Sequence, residues 1–411
     1  MHVLVHYSLP DMVEPPWMSR SVRRNRVIIF YKSIPQYRRA FFEKLRERLV
    51  SEGIDLELIY GRPAREDAAK GDSVELSWAV KAGSASLRCA GRELIWQKGL
   101  ARVRPGDLVI VEQASKLLLN YVLFVAGRAG LIHLGFWGHG RSDRLRPLTG
   151  VGEFAKRYMS RRVWWWWAYN EQSAAHVRDL GYPDERVTRV QNSIDTRSLT
   201  ARAASIGRPE LADLRERLGL AGDNVCIYVG GMYEDKRLPF LVTACELVHA
   251  ELPDFEMIFV GDGPESAVVA DAAQRHRWIH YVGARFDEER VAYMLLAQLA
   301  LMPGGVGLGI LDSFALRVPL VTCAMASHGP EIDYLRDGQN GLMIAAGSGP
   351  IDYAAAVVAT LRDAGLRDHL RRGCAQSGTL YTVEAMVDNF AAGVRRALGD
   401  PPPSGRSLRS S

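Results

Sequence analysis

GGVGLGILDSFALRVPLV occupies residues 304–321. A glycine-rich start runs into an apolar, helix-like segment, and a strand-like PLV follows. Glycine lets backbone amides approach a ligand closely. A helix N-terminus adds unpaired N–H groups and a partial positive charge, which suits a phosphate. One acid, Asp312, lies in the helical part, and Gly304 stands eight residues before it. The stretch can be a nucleotide site, a dinucleotide site or a structural turn. Its glycines at 305, 307 and 309 do not make G-x-G-x-x-G, and they fall far from the first strand–helix turn of their half of the chain. Both facts argue against a dinucleotide oxidoreductase.

Outward from this loop, short apolar runs alternate with helical patterns. The first half holds RVIIF (26–30), LELIY (56–60), LVIVE (108–112), IHLGFW (132–137) and VWWWWAY (163–169). The second holds VCIYVGG (225–231), EMIFVGDG (256–263), IHYVG (279–283), LALMPGG (299–305), PLVTC (319–323) and GLMI (341–344). Helices are expected over 41–51, 239–251, 288–300 and 351–364. Such alternation predicts parallel sheets covered on both faces. The fold class is therefore α/β, with two Rossmann-like, doubly wound parallel-sheet domains facing each other across a cleft. The expected division is an extension over 1–24, a first domain over 25–199, a second over 200–380, a closing helix over 381–398 that packs back on the first domain, and a tail over 399–411.

Of the 411 residues, 47% are hydrophobic and 24% charged, which is globular composition. The five cysteines, Cys89, Cys226, Cys245, Cys323 and Cys374, form no close pair and no metal-ligand spacing. Free thiols in a reducing compartment, the cytoplasm, are expected, with no metal centre. The net charge of +5 hides an asymmetry. Residues 1–200 hold 32 Lys and Arg against 21 Asp and Glu, so that half carries +11 and the remainder −6. A basic half suits an anionic partner such as the inner face of a membrane, with solvated surface charge as the plain alternative. No basic run interleaved with aromatics points to nucleic acid. Residues 117–137 are apolar but broken by Asn120, Arg128, His133 and glycines, so a core helix and strand are expected there rather than a membrane span. The tryptophans at 164–167 alternate between faces if they form a strand, which favours core packing; Arg157, Arg161 and Arg162 beside them leave an interfacial role open.

Ligands of open parallel sheets bind beyond the carboxyl ends of the strands. The candidates there are Gly230, Gly231, Gly261, Gly283, Gly305, Val306, Gly307 and Leu308, with Lys236 as a cation and Asp312 as an acceptor for ribose hydroxyls. Glu331 and His328 lie beyond the next strand; for Glu331 the start of a helix is an equal alternative. In the first half, His139 and Arg141 of FWGHGRS follow a strand, and Tyr37 and Arg38 occupy the first strand–helix loop. A structural histidine remains the alternative for His139. Asn170 and Glu171 serve equally as helix caps.

Together, VGGMYEDKRLPFLVTACELVHAELPDFEMIFVGDGPE, GLGILDSFALRVPLVT and GPEIDYLRDGQNGLM resemble the donor domain of family 4 retaining glycosyltransferases, whose fold is GT-B. FYKSIPQYRRAFFEKL, FWGHGRS and YNEQSAAHVRDLGYPDERVTRVQNSIDT resemble the acceptor side of the same enzymes. The resemblance implies transfer of a sugar from a nucleotide-diphosphate sugar, a UDP- or GDP-sugar, to a glycan or lipid-linked acceptor, without metal or cofactor. It gives Lys236 the diphosphate, Asp312 the ribose, the amides of Val306, Gly307 and Leu308 the phosphate and sugar, and His139 the transferred sugar. The sequence departs from the family at Gly231, where many members carry an arginine, and at Gly304, where the first glutamate of E-x7-E contacts the donor sugar. A nucleotide-sugar epimerase of the same fold and a non-catalytic binding scaffold are the rival expectations.

Overall fold

The structure is a computed structural model that describes residues 25–63, 73–89, 92–140, 151–286, 289–325 and 327–399. Its first sheet is built from β1 (Arg26–Tyr31), β2 (Asp55–Tyr60), β3 (Val80–Lys81), β6 (Leu108–Glu112), β7 (His133–Gly138), β8 (Trp165–Ala168) and β9 (Val187–Arg189). The strand order is β3-β2-β1-β6-β7-β8-β9, parallel throughout. The second sheet uses β10 (Asn224–Val229), β11 (Phe255–Val260), β12 (Ile279–Tyr281), β13 (Leu299–Leu301), β14 (Leu320–Cys323) and β15 (Gly341–Ile344). Its order is β12-β11-β10-β13-β14-β15, again parallel. The strands read as unbroken apolar runs because helices cover both faces of each sheet: Ile28, Val109 and Trp166 pack on one side of the first sheet, and Val27, Leu108 and Trp165 on the other.

Five elements escape the sequence pattern, wholly or at one end. The hairpin of β4 (Ser84–Cys89) and β5 (Arg92–Gln97) pairs antiparallel outside both sheets. Strands β3 and β9 have two and three residues, too short for periodicity to register. The helix expected over 288–300 ends early: it spans Glu289–Leu295, and Leu299–Leu301 is already strand. Residues 291–301 are apolar or aromatic except for Gln298, so the pattern does not mark where helix gives way to strand.

The tryptophan run is core. Trp165, Trp166 and Trp167 are fully buried and Trp164 nearly so. The closing helix, Val383–Gly399, packs on β8 and β9 of the first sheet and on the helix Arg39–Ser51. Its Val383, Met386, Phe390 and Val394 share a core with Phe41, Phe42 and Trp167. Two indole nitrogens donate to its carbonyls, Trp164 Nε1 to Ala397 O at 2.9 Å and Trp167 Nε1 to Phe390 O at 3.2 Å. The cysteines 226, 245, 323 and 374 are buried free thiols. No helix among the described residues is long and apolar enough to cross a membrane.

Candidate functional site

In the second sheet the chain order reverses between β10 and β13, so the loops after these strands diverge and open a crevice. The loop after β10 carries Lys236 in the short helix Glu234–Lys236. The loop after β13 carries residues 302–308 and runs into the helix Gly309–Leu316. The two loops are locked together. Gly305 N donates to Asp235 O at 2.8 Å, and Lys236 Nζ donates back to Gly305 O. Asp235 Oδ2 lies 3.0 Å from the same ammonium. Lys236 therefore stands at the head of the glycine loop.

The expected cradle of amides is smaller than the sequence suggested. The Gly305 amide is taken by Asp235, and the Val306 amide donates to His328 Nδ1 at 3.0 Å. His328 Nε2 meets Cys323 O at 2.8 Å, so its ring is a strut beneath the loop with Nε2 carrying the proton. Among the described residues, the amides of Gly307 and Leu308 have no acceptor. These two are left to meet a ligand.

Gly230 and Gly261 hold loops rather than offer amides, and Gly283 contributes its carbonyl. Gly230 N donates to Val260 O and Gly261 N to Gly283 O. A Cβ on Gly261 would come within 1.9 Å of Gly230 O, and its φ of +146° also favours glycine. At Gly231 the side-chain space is filled by the Tyr233 ring, whose nearest atom would lie 2.5 Å from a Cβ. Gly304 is tighter still. A Cβ there would sit 2.4 Å from Asp235 O and from the Lys236 Cα and carbonyl carbon. The missing acid is thus a loop closed against the backbone of 235–236, with no room for any side chain.

Asp312 lies on the crevice-lining helix and is 7% exposed. It is already paired: Arg290 grips it in a fork, Nε to Oδ2 at 3.0 Å and the second nitrogen to Oδ1 at 2.9 Å. Each carboxylate oxygen has two lone pairs. Arg290 uses one on each, which leaves acceptor capacity on both.

On the first-domain side, His139 follows β7, its ring edge-on to Tyr169 with centroids 4.5 Å apart. It reaches solvent, but surrounding protein, together with the cations Lys156 and Arg38, lowers its pKa to about 4. It is a neutral imidazole at neutral pH. Tyr37 is exposed at the cleft. Arg38 is a correction to the sequence expectation, because it is 2% exposed and cannot meet a diphosphate. Its guanidinium lies 5.3 Å from the Trp137 ring and donates to Asn192 Oδ1 and Ser193 O. The aromatic residues that close round it screen it from solvent. Arg141 lies outside the described residues.

Asn192 joins the halves. Its side-chain oxygen accepts from Arg38 and its amide donates to Glu331 Oε1. Glu331, in the short helix Pro330–Tyr334, is buried, which raises its pKa; the Asn192 amide pulls the other way. Its Oε2 faces Gly307, 3.7 Å from where a Cβ would stand. It starts a helix and borders the loop at once. Asn170 caps the helix Glu171–Asp179 through Ser173 N at 2.9 Å, and its amide donates across to Pro330 O. Glu171 pairs with Arg178 and Arg189 and points away from a ligand role.

Sequence reasoning missed Arg290, Asp235 and Asn192. Arg290 sits among the charges of RFDEERVAY and Asn192 in QNSID, where nothing marks a partner 22 or 139 positions away. Asp235 adjoins Lys236 and was legible only as its neighbour.

Residues 223–363 match the family described as Glycosyl transferases group 1. The alpha-D-kanosaminyltransferase of Streptomyces kanamyceticus is 26% identical over 196 residues, 46% of this chain and 49% of that protein. The match thus spans about half the length of that curated relative. Among solved structures, Anabaena HepE in complex with UDP superposes with a TM-score of 0.62 at 14% identity, over 90% of this chain and 99% of that one. The pneumococcal O-GlcNAc transferase GtfA, in complex with UDP and GlcNAc, gives a TM-score of 0.60 at 12% identity, over 91% and 99%. The Rickettsia africae glycosyltransferase gives 0.65 at 10%, over 92% and 99%. The fold is GT-B, and the resemblance to the group 1 glycosyltransferases holds over residues 223–363.

Proposed function

We propose that the chain is a glycosyltransferase that takes a sugar from a nucleotide-diphosphate donor, a UDP- or GDP-sugar, and passes it to a glycan or lipid-linked acceptor with retention of configuration. The observation that carries this is the placing of the Lys236 ammonium and the unpaired Gly307 and Leu308 amides on one loop pair at the switch point of a GT-B fold. A departing nucleoside diphosphate needs its growing negative charge stabilised, and a lysine with helix-end amides does that without a proton donor. Asp312 binds the ribose with the acceptor capacity that Arg290 leaves. Neutral His139 receives the donor sugar from the opposite wall, where it can accept or donate a hydrogen bond without adding charge. Attack from the face the leaving group departs, with a β-phosphate oxygen taking the acceptor proton, completes the reading. The relatives' names support it: HepE and GtfA are described in complex with UDP.

With no acid at 304, donor-sugar selection passes to Glu331 Oε2, which borders Gly307. The second reading is a non-catalytic nucleotide-binding scaffold, favoured by the closed Gly304 and by the Arg290 fork on Asp312. A thermal-shift panel of UDP, GDP, ADP, CDP and dTDP with their sugar conjugates tests both. A ligand at about 100 times its Kd stabilises by about 2.7 kcal/mol. One nucleotide should raise Tm, its sugar conjugate should raise it further, and Lys236→Ala should abolish both. Binding with no sugar release to water or to any acceptor extract supports the scaffold; no shift at all overturns both readings.

A further inference from the structure

We infer that the helix pair Leu119–Arg128 and Val151–Ser160 forms a docking face for an anionic lipid surface, beside the acceptor wall of the cleft. The tryptophans at 164–167 are buried; the apolar surface that stays exposed lies on their neighbours. Val125 is 67% exposed and Phe154 69%, and Tyr121, Val122, Leu131 and Tyr158 are exposed with them. Ring contacts show that the two helices present one face: Phe124 meets Tyr158 at 6.1 Å and Phe154 meets Tyr158 at 6.2 Å. Contiguous exposed apolar side chains of this size mark an interaction site.

Charge selects the partner. Residues 113–132 contain Lys116 and Arg128 and no acid; residues 151–164 contain Lys156, Arg157, Arg161 and Arg162 against the single acid Glu153. The Arg162 guanidinium lies 3.9 Å from the Tyr158 ring centre, which keeps a cation at the rim of the aromatic patch. Aromatic and aliphatic side chains ringed by cations suit insertion among acyl chains with phosphate headgroups around them. An acidic glycan would use the cations but would leave Phe154 and Val125 without a partner. A second copy of the chain would set the cations against each other. Lys156, on the same helix, lines a cavity with Gln113, Asn120 and Phe136 at the carboxyl end of β6, where an open parallel sheet takes its ligands. The face therefore brings a membrane to the side of the cleft opposite the donor loop, where a lipid-linked acceptor would enter. The inference rests on the proposed transfer only for the nature of the acceptor.

The test is co-sedimentation of the full chain with vesicles of phosphatidylcholine alone, or with roughly a third of phosphatidylglycerol to set a negative surface potential. The expected result is binding to the mixed vesicles only, weakened by high salt. The double variant Val125→Glu/Phe154→Glu should lose at least about ten-fold in affinity, and Arg157→Glu/Arg161→Glu a similar amount. Both should keep the wild-type Tm and nucleotide shift, since all four side chains are exposed. Failure of the wild type to bind mixed vesicles at low salt overturns the inference. So does unchanged binding by Val125→Glu/Phe154→Glu while the arginine pair matters, which would signal an acidic polysaccharide. So does a dimer in sedimentation velocity that this variant dissolves. The nucleotide shift is read without vesicles, so failure of the donor proposal shows separately.

Discussion

Gly304, Asp312 and His139 make different demands on a substitution. Gly304→Ala places a Cβ against backbone atoms at 2.4 Å, where nothing flexible can give way. It should lower stability by about 1–3 kcal/mol, and Gly304→Glu should not restore a sugar contact; denaturant midpoints and turnover check both. Asp312→Ala leaves Arg290 without its partner in a site where both side chains are mostly covered. Removing one member of such a pair costs about 3 kcal/mol. A lower Tm of the ligand-free variant reads this structural part, and any further loss of nucleotide affinity reads the ribose part. His139 sets a pH expectation. Its folded-state pKa of about 4 lies below the ordinary value of 6.5. The ring should stay neutral from pH 7 to 5, so the pH profile of kcat should show no inflection from this residue there. The unfolded chain takes up its proton near 6.5 and the folded chain only near 4. This residue's contribution to stability is thus present above 6.5 and declines as the pH falls towards 4. Carbon-shift titration of a ring-labelled sample measures it directly. The places of Lys236 after β10 and of Asp312 in the helix after β13 were legible from their spacing after strands. The Arg290 fork was not, because a guanidinium's partner is fixed by three-dimensional approach and leaves no local pattern.

At the level of elements, the closing helix Val383–Gly399 shows what holds the first sheet covered. Gly393 is where it comes closest: a Cβ there would meet Thr188 Oγ1 at 2.4 Å and Trp167 Nε1 at 2.6 Å. Gly393→Val should push the helix off β8 and β9 and lower stability by about 1–3 kcal/mol, seen as a lower Tm with a redshift in tryptophan emission. Long apolar strands and amphipathic helices announced themselves through their period. The short strands β3 and β9, the hairpin of β4 and β5 and the early end of the helix Glu289–Leu295 did not, because two or three residues hold no period and a run that is apolar but for Gln298 fits helix and strand alike.

Across the whole molecule, Asn192 is one of the residues that join the halves, with Asn170 beside it. Asn192 accepts from Arg38 of the first domain and donates to Glu331 of the second, while Tyr334 Oη donates to its carbonyl at 3.1 Å. Asn192→Ala removes the donor from a buried carboxylate, a loss of about 1.5–3 kcal/mol for a bond to a charged group. The domains should then separate more freely. A larger radius of gyration in small-angle scattering, with a larger contraction on adding donor nucleotide, is the expected outcome; an unchanged radius would leave the join to Asn170 and the closing helix.

The sequence alone determined the paired parallel sheets, the buried tryptophans, and the positions of Lys236, Asp312 and the glycine loop at strand ends. These follow from hydrophobic period and from the rule that open sheets bind ligands beyond their carboxyl ends, both readable along the chain. Only the tertiary structure decided which loop amides stay unpaired, why Gly304 admits no side chain, that Arg38 is sealed among aromatics, and that Asn192 ties one half to the other. Those are contacts between groups far apart in sequence, fixed by how the two sheets and their loops close on each other.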